Sequence, residues 1–194
     1  MTDRTIRMLL WSGCLGGVIL FVGDMLYYGA WGSGRSFHFF SSLTASAPWR
    51  LHLGSITGPV GVAFDLLGML GLWFCCRRSA PRLAITMLAC MYANDLSTLL
   101  QHGIVGPLAF AARDCGRNSD AVAQILKLGD ILSTDQMVLS LAGLLIWVFL
   151  VLRKKANVPR WTVLACPLVT YWLEYVVVYV PLRLASHSGA DGAT

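Results

Sequence analysis

Five polar residues interrupt an apolar stretch of this chain: Asn94, Asp95, Thr98, Gln101 and His102, within "MYANDLSTLLQHG" from Met91 to Gly103. On a helix they fall on one stripe, and Asp95 and His102, seven residues apart, nearly superpose on one face. A carboxylate and an imidazole on a shared face are the raw material of acid–base chemistry. Other apolar runs hold Asp24, Asp65, Asp135 and Glu174. No Lys or Arg lies deep in these runs, so His102 is their one base able to take a positive charge. Five carboxylates around one His cannot all stay ionised. Some must be protonated, hydrated, or paired with Arg35 or Arg50 from a folded-in loop. Asp95, His102, Glu174 and Asp24 are therefore the expected acid–base residues. Asp65, Asn94, Gln101, Asp135, Tyr28, Tyr92, Tyr171, Trp172 and Tyr175 are expected to line the same cavity. Each also has a plainer reading. Asn94 and Gln101 suit hydrogen-bonded glue between helices. Asp135 suits a helix end facing water, and Tyr27 with the other aromatics suits an interfacial belt.

Such residues need elements that can hold them in hydrocarbon. The chain has 194 residues, 56% hydrophobic and 13% charged, with a mean hydropathy of +0.64. A soluble domain has about a quarter of its residues charged. Several runs reach the ~20 apolar residues a membrane-crossing helix needs. The expectation is an all-α, polytopic membrane bundle in a single integral membrane domain, residues 1–194. Its five spans are placed at about 8–29, 51–76, 83–111, 130–152 and 161–184. The first connection, "AWGSGRSFHFFSSLTASAPWR", is an aromatic, Gly- and Ser-rich extracytoplasmic loop. The third carries a short amphipathic pattern, Val122, Ile125 and Leu126, that would suit the membrane surface.

Charge sets the orientation. With the N-terminus inside, nine of the 15 Lys and Arg are cytoplasmic, and these include the dense clusters "RR" at 77–78 and "RKK" at 153–155. The positive-inside rule then places the N-terminus in the cytoplasm and the C-terminus outside a cell membrane. The net charge of +5 reads as topology signal and anionic-lipid contact, with membrane lipids as partners. Nucleic acid is not an expected partner, because a basic face with reading elements is missing. Cys14, Cys75, Cys76, Cys90, Cys115 and Cys166 form no C-x-x-C and no Cys/His zinc spacing, so no metal is expected.

Spans one and two repeat a spacing: Gly13, Gly17 and Asp24 against Gly54, Gly58 and Asp65, the second extended by Gly61 and Gly68. Small residues four apart let helices approach closely in lipid. Gly13, Gly17, Gly54 and Gly58 are thus expected in helix seams, with Asp24 and Asp65 turned into protein.

"GDMLYYGAWGSG" (Gly23 to Gly34) with "LHLGSITGPVG" (Leu51 to Gly61) resembles a family of small bacterial polytopic membrane proteins classed as a domain of unknown function. The resemblance covers most of the chain. It implies a bacterial inner-membrane protein and no assigned activity.

The chemistry expected from the residues is that of an intramembrane enzyme. It would use proton-driven isomerisation, cyclisation or hydration of a hydrophobic small molecule, an isoprenoid or other lipid, and would require no cofactor. Two alternatives stand beside it. One is a binding or proton-coupled transport protein, with a homo-oligomer compensating for the small number of spans. The other is a structural membrane subunit whose polar groups are glue.

Overall fold

Local chemistry sets the helix starts. Pro48 and Pro81 each sit in the first turn of a helix, where a missing N–H costs nothing. Ser119 caps another, its Oγ accepting from Val122 N–H at 3.4 Å, with Asp120 in the first turn favourably near the positive end of the helix dipole. The structure, a computed structural model, describes residues 2–28, 46–115 and 119–165. It contains helices α1 (Asp3–Tyr28), α2 (Pro48–Cys76), α3 (Pro81–Asp114) and α4 (Asp120–Leu152), then a short 3-10 helix, Arg160–Ala165. No strand occurs among the described residues. All four α-helices are long and apolar enough to cross a membrane. The expected fifth span lies outside the described residues from 166 onward, as does most of the first connection.

The helices pack in sequence: α1 on α2, α2 on α3, α3 on α4. The α1–α2 seam is antiparallel and built on missing side chains. Along it Leu10 meets Gly71, Gly13 meets Gly68, Gly16 meets Gly61 and Asp65, Gly23 meets Gly58, and Tyr27 meets Gly54. A Cβ on Gly16 would lie 2.6 Å from Asp65 N and 2.7 Å from Gly61 O, so only glycine fits there. Gly13, Gly54 and Gly58 sit in close contacts as expected. Gly17 does not: nothing lies within 4 Å of its Cβ position. The seam uses the neighbouring Gly16 instead, because a step of about 100° per residue carries Gly17 out to the exposed side.

The expected surface segment at Val122 is also corrected. It is the start of α4, continuous with the apolar span. Val122 is fully buried in a cluster with Tyr27, Leu51, Val105, Leu108, Ala109 and Ala112. Its apolar face folds back onto the end of α3. A second apolar cluster, including Cys76, Met87, Met91, Trp147 and Leu150, closes the opposite end of the row. The outer face of α1 shows Met8, Trp11, Leu15, Val18 and Val22, all exposed and spaced by three or four residues. That stripe fits hydrocarbon, in which a helix keeps its backbone bonded internally and shows apolar side chains outward.

The seam makes a paired test. Gly16→Ala should lower stability by about 1–3 kcal/mol through overpacking against backbone. Gly17→Ala should be neutral or stabilising by up to about 1 kcal/mol through helix propensity. Thermal unfolding of the two variants in detergent measures both; equal behaviour would remove the seam assignment.

Candidate functional site

His102 projects from α3 into the space that Gly58 leaves open on α2: a Cβ on Gly58 would overlap the imidazole at Nδ1 and Cγ. There the ring is 6% exposed and stacks on Tyr27 of α1, with ring centroids 5.6 Å apart. Its Nε2 lies 3.5 Å from Asp24 Oδ1, also on α1. Three helices therefore meet at one imidazole. Tyr27 secures the meeting, its hydroxyl lying 2.8 Å from Ser55 Oγ and 3.1 Å from the His102 carbonyl oxygen. Ser55 Oγ also donates to Leu51 O at 2.9 Å. Arg50 donates to Met25 O at 2.7 Å, holding the end of α1 beside the site. Pro59 and Pro107 fall within α2 and α3 close to this level. Each removes a backbone hydrogen bond and loosens its helix there.

The pair is asymmetric in access. The His102 side chain is nearly enclosed, whereas that of Asp24 is 43% exposed. His102 Nδ1 has no hydrogen-bond partner among the described residues. An imidazole with one nitrogen facing a carboxylate can hold, accept or return a proton, and the open carboxylate is where a second molecule can reach it.

Asp95 occupies a different level. It shares the buried face of α3 with His102, but seven residues of helix put it about 10 Å away along the axis. The expected Asp95–His102 pair is therefore corrected: His102 meets Asp24, and Asp95 lies near the level of Asp65 of α2, where α3 and α2 are joined by Tyr92 and Leu66. Asp95 is 4% exposed. Its Oδ1 accepts from Asn94 Nδ2 at 3.1 Å, and its Oδ2 has no partner among the described residues. Tyr92 closes this level by donating to Leu66 O at 3.1 Å.

The remaining expected residues separate. Gln101 turns to α4, with Nε2 2.5 Å from Ser133 Oγ, and Thr98 accepts from Gln136 Nε2 at 2.9 Å. These two contacts are interhelical glue of the kind membrane seams use. Asp135 is exposed on α4, away from the edge carrying Ser133 and Gln136, and does not join either polar level. The side chain of Tyr28 and all of Tyr171, Trp172, Glu174 and Tyr175 lie outside the described residues. No group of three or more His, Cys, Asp or Glu that could hold a metal occurs among the described residues.

Tyr27 and Ser55 belong to the site without being among the expected site residues, although their spacing carries a signal. Tyr27 follows Asp24 by three and Ser55 precedes Gly58 by three, the helical spacing that shares a face. A family model described as a family of unknown function (DUF6796) matches residues 1–193. No curated protein and no solved structure matches the chain.

Proposed function

We propose, for a chain that belongs to the family of unknown function DUF6796 and so takes no activity from it, an intramembrane enzyme that moves protons on a hydrophobic substrate. The observation that supports this most is the Asp24–His102 contact, sealed on the histidine side and open on the carboxylate side. A substrate arriving from the membrane meets Asp24 first. Protonated Asp24 delivers its proton to an alkene or epoxide. Return of a proton from an adjacent carbon to the pair completes an isomerisation or cyclisation; capture of water, with its extra proton passed back to the pair, completes a hydration. His102 holds the carboxyl in place and shares its proton. An isoprenoid or related lipid is the substrate class in this reading.

The finer architecture belongs to the same proposal. Five spans put the two termini on opposite sides, the Lys and Arg clusters put the N-terminus in the cytoplasm, and Glu174, Tyr171, Trp172 and Tyr175 of the fifth span would join Asp24 and His102 around the substrate. The basic ends of α2 and α4 support that orientation. A reporter active only outside the membrane, fused after Thr194, gives signal under this topology; activity of a cytoplasm-only reporter at that position contradicts it.

One observation favours a second reading, proton-coupled transport. The level of buried Asp95 and half-buried Asp65 lies further along α2 than the Asp24–His102 level and, with water between, would extend a proton path. The two readings separate in one preparation. Protein in nanodiscs with a total lipid extract should convert a lipid species to an isomer or hydrate detectable by mass spectrometry. Asp24→Asn should slow that conversion by about 10²–10⁴-fold, the usual contribution of a general acid. Unchanged lipids, together with Asp24-dependent proton movement in sealed vesicles, would replace the enzyme with the transporter.

A further inference from the structure

At the end of the row where α1 begins and α2 and α4 end, three chain segments enclose a cleft of about 590 Å³. Its charge is one-sided. Arg7 comes from α1, Arg77 and Arg78 from the turn after α2, and Lys154 from the turn after α4; Asp3 is the single acidic residue in the lining. None of these four cations forms an ion pair among the described residues. The wall is fixed, because Asn157 N–H donates to Cys75 O at 3.0 Å and pins the α4 turn to the end of α2. Arg77 is held over the rings of Phe74, at 4.6 Å, and Trp73, at 5.2 Å. Ile6, Leu10, Phe74 and Val158 supply apolar surface inside the cleft.

Lys154 is the informative residue. It terminates α4 in the left-handed region, at φ 55°, with Lys155 N–H donating to Leu150 O at 2.8 Å. That capping position favours glycine, since a Cβ is strained there. A lysine at this position accepts backbone strain and puts a fourth cation into the cleft.

We propose that this cleft binds a phosphate group. Convergent cations on a rigid frame suit a phosphate's several acceptor oxygens, and guanidinium groups pair with them through two bonds at once. The phosphate comes either from an anionic lipid headgroup, whose acyl chains would use the apolar surface, or from a soluble phosphate ester.

Lys154→Gly separates binding from folding, because it removes charge and relieves the left-handed strain together. The full chain in detergent is titrated with phosphatidylglycerol, phosphatidylcholine and inorganic pyrophosphate, following bound ligand by native mass spectrometry and stability by thermal unfolding. The parent should bind phosphatidylglycerol or pyrophosphate in preference to phosphatidylcholine. Phosphatidylglycerol alone identifies the headgroup as the source, and pyrophosphate identifies a soluble phosphate compound. Lys154→Gly combined with Arg78→Ala should weaken binding by tenfold or more, while Lys154→Gly alone leaves the melting temperature equal or higher. Equal binding by parent and double variant, or no binding of either anion, overturns the site. A fall in melting temperature for Lys154→Gly overturns the role given to that residue.

Discussion

Buried imidazole and carboxylate groups in a membrane bundle must find partners inside the protein, and here α2 makes that possible by omitting side chains. Leaving an ionised group in hydrocarbon costs several kcal/mol, about 2.5–3.5 on insertion scales. Gly58 leaves room for His102, and Gly54 leaves room for Tyr27. Gly61 and Gly68 bring α1 close enough for Asp24 to reach the imidazole from its far side. The polar contact thus depends on helix separation, and the separation depends on glycine. Apolar clusters at both ends of the row close over it.

The two carboxylate levels follow from the same geometry. Both lie along α2, one shared between α1 and α3 through His102, the other at the level of Asp65 and Asp95. Among the described residues, only the first is paired with a base. The α3–α4 seam also carries polar groups, but these satisfy one another through Gln101, Ser133, Thr98 and Gln136. Reactivity is accordingly expected where a polar group is reachable and incompletely bonded, and stability where the bonding is complete.

Much of this was legible in the chain. Apolar run length marked five spans, four of which are the described helices, and Gly-x3-Gly with Asp marked close seams. The stripe on α3 marked an inward polar face. What periodicity could not supply was register between helices. Asp95 and His102 share a face, yet face alone does not say which neighbour each meets; that is set by the offset of α1 against α2, which places Asp24 level with His102. Gly16 and Gly17 show the same gap at smaller scale. Both are small, and only their rotation about α1 tells which enters the seam. Asp135 and Gln101 separate for this reason as well, one rotated outward on α4, the other turned to α4 and bonded there.

The proposed acid–base site rests on the contact between Asp24 and His102, which a double-mutant cycle measures directly. Asp24→Asn, His102→Gln and the double variant are unfolded in detergent alongside the parent. Residues in contact should depart from additivity by about 0.5–3 kcal/mol. Free-energy changes that add to within about 0.5 kcal/mol would show that the two side chains do not meet, and would remove the acid–base site from this bundle.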